Sequence, residues 1–188
     1  MKTLIINGSP RKNGCTYSII SKLKEVINGE VTILDTYGCK ISPCIDCRYC
    51  WTHSKCAIDD HMQEVYSIII EADNIIIASP IYFAELTGPL LSWASRLQYF
   101  WTAKNFRNEI VLQKKSRYGA VILVDGGDGY MDTALAMGKR LLRNMGAEYK
   151  EMIYFSGTDK TEPADPMKDI TMIDSIKRVS ILLNQENR

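Results

Sequence analysis

Five short apolar runs alternate with segments of helical periodicity along this chain of 188 residues. The runs are rich in β-branched residues and bounded by turn residues, which is typical of strands covered on both faces of a parallel sheet. This alternation predicts an open, doubly wound α/β fold, with residues 1–188 forming a single domain. The predicted strands are 3–6, 31–34, 74–78, 120–124 and a weaker 148–155, and the predicted helices are 16–27, 60–72, 88–100, 130–145 and 166–183.

The charges of the chain nearly cancel, with 23 basic and 22 acidic side chains. Because no net field and no basic run would attract a polyanion, we expect neither nucleic acid nor a membrane surface as a partner. No apolar run approaches the roughly 18 residues that span a bilayer. The N-terminal apolar run ends at Asn7 and is too short for a signal peptide, so the expected location is cytoplasmic.

The loop after the first predicted strand, INGSPRKNGCT, has the composition of an anion-binding loop. A loop at the carboxyl end of a strand, followed by a helix N-terminus, presents free backbone N–H groups to an anion. Ser9, Asn13 and Thr16 add hydrogen-bonding side chains, and Arg11 adds a positive charge. Neither a dinucleotide-binding fingerprint nor a P-loop is present. On these residues alone, an ordinary turn with a capping threonine remains an open alternative.

Two further loops follow strands at the same predicted edge of the sheet. The stretch 79–83, SPIYF, offers a stiff turn and two aromatic faces, which a flat cofactor ring needs, although both aromatics could equally pack beneath a helix. The stretch 125–129, DGGDG, has three glycines that let the backbone approach a ligand closely. Its contacts would come from the backbone, because Asp125 and Asp128 alone make a poor metal cage.

Four cysteines, Cys44, Cys47, Cys50 and Cys56, lie within thirteen residues of the predicted loop 37–58. In the cytosol such clusters bind metal or act in catalysis more often than they form disulfides. Their spacing leaves three chemistries open: a [4Fe–4S] cluster held by four thiolates, structural zinc, or free thiols with a redox-active pair. We expect Cys39 to be structural and His53 to face solvent.

Three of these stretches occur in the order known from one protein family. INGSPRKNGCT, PCIDCRYCWTHSKC and ASPIYF together resemble the NADPH-dependent FMN reductase and iron–sulfur flavoprotein group of the flavodoxin-like superfamily. The resemblance implies a three-layer α/β/α fold with a five-stranded parallel sheet of order 2-1-3-4-5. It implies FMN bound by Ser9, Arg11, Asn13, Thr16, Tyr17, Ser18, Pro80, Ile81, Tyr82, Phe83, Asp125, Gly126 and Gly127, and a [4Fe–4S] cluster on Cys44, Cys47, Cys50 and Cys56.

The function expected from the resemblance is FMN-dependent oxidoreduction with NAD(P)H as electron donor. The acceptor would be a small molecule or a ferredoxin-like protein, and no side chain is assigned as catalytic. Two alternatives are a non-enzymatic electron carrier and a thiol-based or metal-based redox sensor without flavin. The aromatic cluster Trp93, Tyr99, Phe100 and Trp101 indicates a homodimer or homotetramer. Cys15 departs from the family pattern, and it is either a thiol whose pKa the helix N-terminus lowers or a tolerated small residue.

Overall fold

A parallel sheet of five strands forms the centre of the molecule. The structure is a computed structural model that describes residues 1–112, 115–127, 129–160 and 164–185. Its strands are β1 (Lys2–Asn7), β2 (Glu30–Asp35), β3 (Asn74–Tyr82), β4 (Glu85–Leu86), β5 (Tyr118–Val124) and β6 (Glu148–Phe155). The parallel strands lie in the order β2-β1-β3-β5-β6, and the short β4 pairs antiparallel with β3. Counting the parallel strands alone, the predicted order 2-1-3-4-5 is confirmed.

Helices cover both faces of this sheet and give the three predicted layers. They are α1 (Cys15–Val26), α2 (Met62–Glu71), α3 (Gly88–Ala94), α4 (Gln98–Phe106), α5 (Asp132–Asn144) and α6 (Ile170–Leu183). One apolar core lies between the sheet and α2 to α5, and a second lies between the sheet and α1 with α6. The central strands are apolar on both faces because each side chain enters one of these two cores.

The third strand extends further than the prediction of 74–78. Residues 79–82, predicted as a loop, continue β3. Ser79 and Pro80 are in register with β5, and Ile81 and Tyr82 pair with β4. Proline has no backbone N–H and is usually confined to edge strands, strand starts or bulges, yet here the pairing with β5 continues as far as Pro80. The predicted helix 88–100 is also divided, since a 3₁₀ turn at Ser95–Leu97 separates α3 from α4.

Beyond Tyr82 the chain reverses through Phe83 and Ala84 into β4. Both turn residues have positive φ, +53° and +64°, the conformation of a two-residue type I′ hairpin turn. Asn-Gly adopts that turn readily, whereas Phe and Ala at positive φ each add strain of about 1–2 kcal/mol. The hairpin places a strained turn at the carboxyl edge of the sheet.

None of the helices among the described residues has both the length and the apolar character needed to cross a bilayer.

Candidate functional site

The loop of residues 8–14 connects β1 to α1 at the carboxyl edge of the sheet. Gly14 is the N-cap residue of α1, and within the described residues 14–26 no side chain caps the helix and no acidic residue occupies its first turn. The first-turn N–H groups therefore remain available to an anion from outside the helix. Ser9 and Thr16 are buried beside this helix end, and Arg11 is exposed above it.

Asn7, the last residue of β1, holds this loop from below. Its side-chain amide donates to Oδ1 of Asp35 at the end of β2 (2.6 Å), and its Oδ1 accepts from the backbone N–H of Ser9 (3.0 Å). The Thr36 hydroxyl donates to the Asn7 carbonyl (3.1 Å). Since Asn7 and Asp35 are register partners at adjacent strand ends, the sheet itself positions the start of the loop.

A second set of contacts fastens the loop to the start of α3. The Gly8 N–H donates to the Ala78 carbonyl (2.7 Å), and the buried Thr87 hydroxyl donates to the Gly8 carbonyl (2.8 Å). A Cβ at Gly8 would lie 2.6 Å from Cδ1 of Leu90 and 2.9 Å from Oγ1 of Thr87. Only glycine permits this close approach without displacing its neighbours.

The loop after β1, the end of β3 and the loop after β5 line a cavity of about 350 Å³ at this edge, and the loop after β6 completes its lining. The predicted residues that line it are Ser9, Arg11, Thr16, Pro80, Ile81, Tyr82, Asp125 and Gly126. We call this cavity, with its lining loops, the cradle. The sheet order brings these residues together because β1, β3 and β5 are neighbours whose carboxyl ends lie at one edge.

The remaining predicted residues lie around the cradle and not in its lining. Asn13 lines an adjoining cavity of about 680 Å³, and Phe83 lines another of about 430 Å³ beside Tyr82 and Tyr130. Tyr17, Ser18 and Gly127 are absent from the linings of all three cavities. Asp128 lies outside the described residues. Of the thirteen predicted cofactor residues, eight line one cavity and five do not.

Thr158 and Asp159, from the loop after β6, line the cradle and were not predicted. The sequence feature that could have predicted Thr158 and Asp159 is the polar turn that begins at Gly157. In the structure Gly157 has a φ of +86°. A polar turn directly after a strand is the same pattern that identified the first three loops. β6 was the weakest predicted strand, and its following loop therefore received no assignment.

Asp125 closes the cradle from inside the protein. Its carboxylate accepts hydrogen bonds from Tyr154 and from the Ser156 hydroxyl (2.6 Å), and its side chain is almost fully buried. Burial alone disfavours the charged carboxylate, but the hydrogen bonds from Ser156 and Tyr154 outweigh it and lower the pKa of Asp125. The hydrogen-bonding capacity of this carboxylate is therefore used within the protein by Tyr154 and Ser156.

Cys15 begins α1 at the rim of the cradle. Its thiol donates to the Ala164 carbonyl (3.3 Å), and burial raises its pKa above the ordinary value. Desolvation of the thiolate outweighs the backbone hydrogen bond and the charge of Arg11, so the lowered pKa considered from the position of Cys15 at a helix N-terminus is wrong. Cys15 corresponds to the other alternative, a tolerated small residue.

The four clustered cysteines lie on an irregular segment that contains a 3₁₀ turn at Tyr49–Trp51. Cys44 and Cys47 are exposed, Cys50 and Cys56 are half-buried, and all four are free thiols. Among the described residues, no three His, Cys, Asp or Glu side chains form a group that could hold a metal ion. The structure therefore does not bring the four sulfurs together, although their chemistry is that of a four-thiolate donor set.

Two neighbours of the quartet behave as predicted. His53 is exposed, and its ring stacks on Tyr49 with centroids 3.8 Å apart, so it faces solvent. Cys39 packs against the larger core and donates to the Thr36 carbonyl (3.5 Å).

Two arginines hold the cysteine segment in place without using any thiol. Arg96 is buried and donates to the Ser42 carbonyl (2.9 Å) and the Ile58 carbonyl (3.3 Å), which flank the four cysteines on either side. Arg107 donates to the Cys50 carbonyl in the middle of the segment. The base and the centre of the segment are therefore anchored by backbone contacts.

Of the four aromatics predicted at a subunit contact, Trp93 and Phe100 are buried in the core. Tyr99 is half-buried and donates to the Ser54 carbonyl (3.2 Å), and Trp101 is 46% exposed. Trp93 and Phe100 therefore belong to the core of the chain, and Trp101 is the member of the cluster that presents a large aromatic surface to the outside.

The family model for NADPH-dependent FMN reductases matches residues 1–157 of the chain. The chain belongs to this family. Within it, an iron–sulfur flavoprotein of Archaeoglobus fulgidus is 29% identical over 78% of the chain and 64% of its own length. An iron–sulfur flavoprotein of Methanocaldococcus jannaschii is 35% identical over 68% of the chain and 63% of its own length. The chain thus matches less than two thirds of the length of these relatives.

Solved structures of distant sequence share the fold of this family member. An NAD(P)H:quinone oxidoreductase from Methanothermobacter marburgensis superposes with a TM-score of 0.75 at 14% identity, covering 100% of this chain and 98% of that one. An FMN-dependent NADH-azoreductase from Bacillus anthracis, in complex with FMN, has a TM-score of 0.59 at 20% identity and covers 97% and 98%. These likenesses confirm the flavodoxin-like fold.

The cradle of this FMN reductase family member suits FMN at both of its ends. Uncapped N–H groups of α1, two buried hydroxyls and Arg11 are the donors that a phosphate requires. Pro80, Ile81 and Val124 form an apolar wall, and Tyr82 adds a half-exposed aromatic face, which suits a flat ring. The hydrogen-bond donors therefore fit the phosphate of flavin mononucleotide, and the apolar wall fits its ring.

Proposed function

We propose that the chain is an FMN-dependent oxidoreductase that takes electrons from NAD(P)H and passes them to a small-molecule acceptor. The observation that carries this proposal is the cradle, where the uncapped start of α1 and the apolar end of β3 line one cavity in a member of the FMN reductase family. Bound FMN would supply hydride acceptance and the release of electrons singly or in pairs. The chain itself supplies binding, orientation and electrostatics.

The residues of the cradle divide this work between them. Ser9 and Thr16, with the first-turn N–H groups of α1, would hold the phosphate, and Arg11 would neutralise part of its charge. Pro80, Ile81 and Tyr82 would support the ring and exclude water from one of its faces. The Asp125 carboxylate accepts hydrogen bonds from Tyr154 and Ser156, so we assign it no contact with the cofactor. No side chain is assigned a proton-transfer role.

FMN titration of the apoprotein, followed by flavin fluorescence, tests the binding half of the proposal. We expect binding in the micromolar range or tighter, and Arg11→Ala should weaken it by about tenfold because one charge-assisted contact is lost. Arg140→Ala, an exposed arginine on α5, is the matched control and should leave the affinity unchanged. An unchanged affinity in Arg11→Ala, or no binding at all, would refute the assignment of the cradle.

Steady-state oxidation of NADH and NADPH by the FMN-loaded protein tests the catalytic half. Turnover with a quinone or free flavin as acceptor supports an enzyme. The second candidate is a non-enzymatic electron carrier, since the relatives are named iron–sulfur flavoproteins and that name states no enzymatic activity. A carrier binds FMN but oxidises NAD(P)H negligibly, so the two candidates differ in this one assay. A redox sensor without flavin would fail the FMN titration itself.

The cysteine quartet remains the predicted ligand set of a [4Fe–4S] cluster. The names of the relatives and the four-thiolate donor set support it, but the thiols do not converge in this structure, and no step of the reaction is derived through a cluster. Iron and sulfide analysis of anaerobically purified protein tests it, with about four iron atoms per chain expected. Iron content below one per chain after anaerobic reconstitution would contradict it.

The cellular setting is also part of the proposal. A ferredoxin-like protein is a second candidate acceptor, and the cytoplasm is the proposed location. Assembly as a homodimer or homotetramer is also proposed, without assigning its interface, and sedimentation velocity of the FMN-loaded protein measures it directly.

A further inference from the structure

A separate cavity of about 650 Å³ lies between the C-terminal ends of α4 and α5. It shares no lining residue with the three cavities at the cradle, and its volume is in the range of small-molecule sites. We propose that this cavity, which we call the α4/α5 cavity, binds a planar aromatic molecule that carries a negative charge. The inference goes beyond the proposed oxidoreductase activity and does not depend on FMN.

The wall of the α4/α5 cavity is apolar and partly flat. Trp101 is 46% exposed and Ile110 is 74% exposed, although both are large apolar side chains. The indole of Trp101 is fixed by an edge contact with Phe106, with centroids 5.3 Å apart and planes at 77°. Phe100 lies buried at the floor of the same cavity. A held, exposed indole face and an exposed isoleucine favour the stacking of a planar apolar group.

The rim of the α4/α5 cavity is positively charged. Lys104 and Arg143 line it from the two helices, and neither has an ion-pair partner among the described residues. The acidic residue of the lining, Glu109, is already neutralised by Arg107 (2.8 Å) and accepts from the Ser54 hydroxyl (2.7 Å). A ligand with a carboxylate or sulfonate would therefore find two cations that the protein leaves uncompensated.

Both cations also occupy the last turn of a helix, where any protein favours positive charge. That role alone does not explain why they border one apolar cavity. A test must therefore distinguish cations that bind a ligand from cations that only stabilise the ends of their helices. It must vary the charge of the ligand as well as the charge of the protein.

Isothermal titration calorimetry with two probes distinguishes these possibilities. The FMN-saturated full chain is titrated with 2-naphthoate and, in parallel, with the neutral 2-naphthamide. We expect one naphthoate site per chain and an affinity for the amide that is weaker by about tenfold, because the amide cannot pair with a cation. Saturation with FMN fills the cradle, so the probes are not measured at that site. Whether FMN binds at all is decided by the separate FMN titration, which tests the proposed function. Equal affinities for the two probes, or no heat with naphthoate, would overturn the proposal.

The double variant Lys104→Glu/Arg143→Glu should weaken naphthoate binding by at least about tenfold and leave naphthamide binding nearly unchanged. Lys22→Glu/Lys24→Glu, on the exposed face of α1, changes the net charge equally and is the matched control. Trp101→Ala should weaken both probes, because it removes the stacking face. A double variant that binds naphthoate like the wild type would refute the site. So would a double variant that changes only the sedimentation coefficient, since this face would then be a contact between subunits.

Discussion

Arg96 and Asp60 form a two-point ion pair beneath the cysteine segment, with Nη1–Oδ2 at 2.8 Å and Nη2–Oδ1 at 3.2 Å. The Arg96 side chain is 1% exposed and that of Asp60 is 13% exposed. Burial alone would disfavour both charges, but their hydrogen bonds outweigh it, raising the pKa of Arg96 and lowering the pKa of Asp60. The pair stays charged and closes the segment that carries the four cysteines.

Replacement of Arg96 by methionine should lower the free energy of unfolding by about 3–5 kcal/mol, because Asp60 then remains as a buried charge without its partner. The Ser42 and Ile58 carbonyls also lose their donor. Urea unfolding measures the change, and Arg140→Met on the exposed face of α5 should stay within about 0.5 kcal/mol of the wild type. A wild-type midpoint for Arg96→Met would show that the pair does not support the segment.

The hairpin turn at Phe83 and Ala84 should be more stable with glycine. Ala84 has a φ of +64°, so Ala84→Gly relieves strain and should raise the free energy of unfolding by about 1 kcal/mol. The same substitution at Ala136, an exposed position within α5, should lower it by about 1 kcal/mol. Thermal or urea unfolding of both variants checks the opposite signs. Destabilisation of equal size at both positions would contradict the strained turn.

Asp125 should make the stability of the protein depend on acidity. Its pKa is lower in the folded protein than its unfolded value of about 3.9, so its contribution is complete above that value and is lost as the pH falls through the folded pKa. The Asp125→Asn variant should therefore be less stable than the wild type at neutral pH, with the difference shrinking below about pH 4. Urea unfolding at several pH values gives the comparison. A difference that is constant down to pH 2 would assign the effect to packing alone.

Removal of metal should leave the chain folded. None of the four clustered thiols is among the buried core residues, and only Cys56 packs, partly buried, against the larger core. The segment itself is anchored through Arg96 and Arg107. A chelated and desalted sample, shown to be free of iron and zinc, should keep one cooperative thermal transition in circular dichroism. Small zinc domains lose their fold under this treatment because metal binding supplies their folding energy. Loss of the transition here would show that the quartet is structural.

The residues that line the cradle were predicted in part because their positions follow from strand ends. Ser9, Arg11, Asp125 and Gly126 follow closely on strands that the apolar pattern identified, and Thr16 begins the helix after the first of these loops. Asn7 and Asp35 were not assigned a role, although each is the last residue of its strand. Their pairing depends on β1 and β2 being neighbours, and adjacency is a property of the sheet and not of either segment.

The sequence by itself determined the alternation of strands and helices, the loop at the start of α1 and the presence of four closely spaced thiols. These features are local, since they depend on periodicity, turn residues and spacing within a few positions. Tertiary structure alone decided that residues 79–82 are strand, since 79–80 pair with β5 and 81–82 pair with β4. The same holds for the strained turn at Phe83 and Ala84. Tertiary structure also decided the position of the thiols. Arg96 and Arg107 contact residues more than thirty positions away in the sequence, so no short stretch of sequence contains both partners of these contacts.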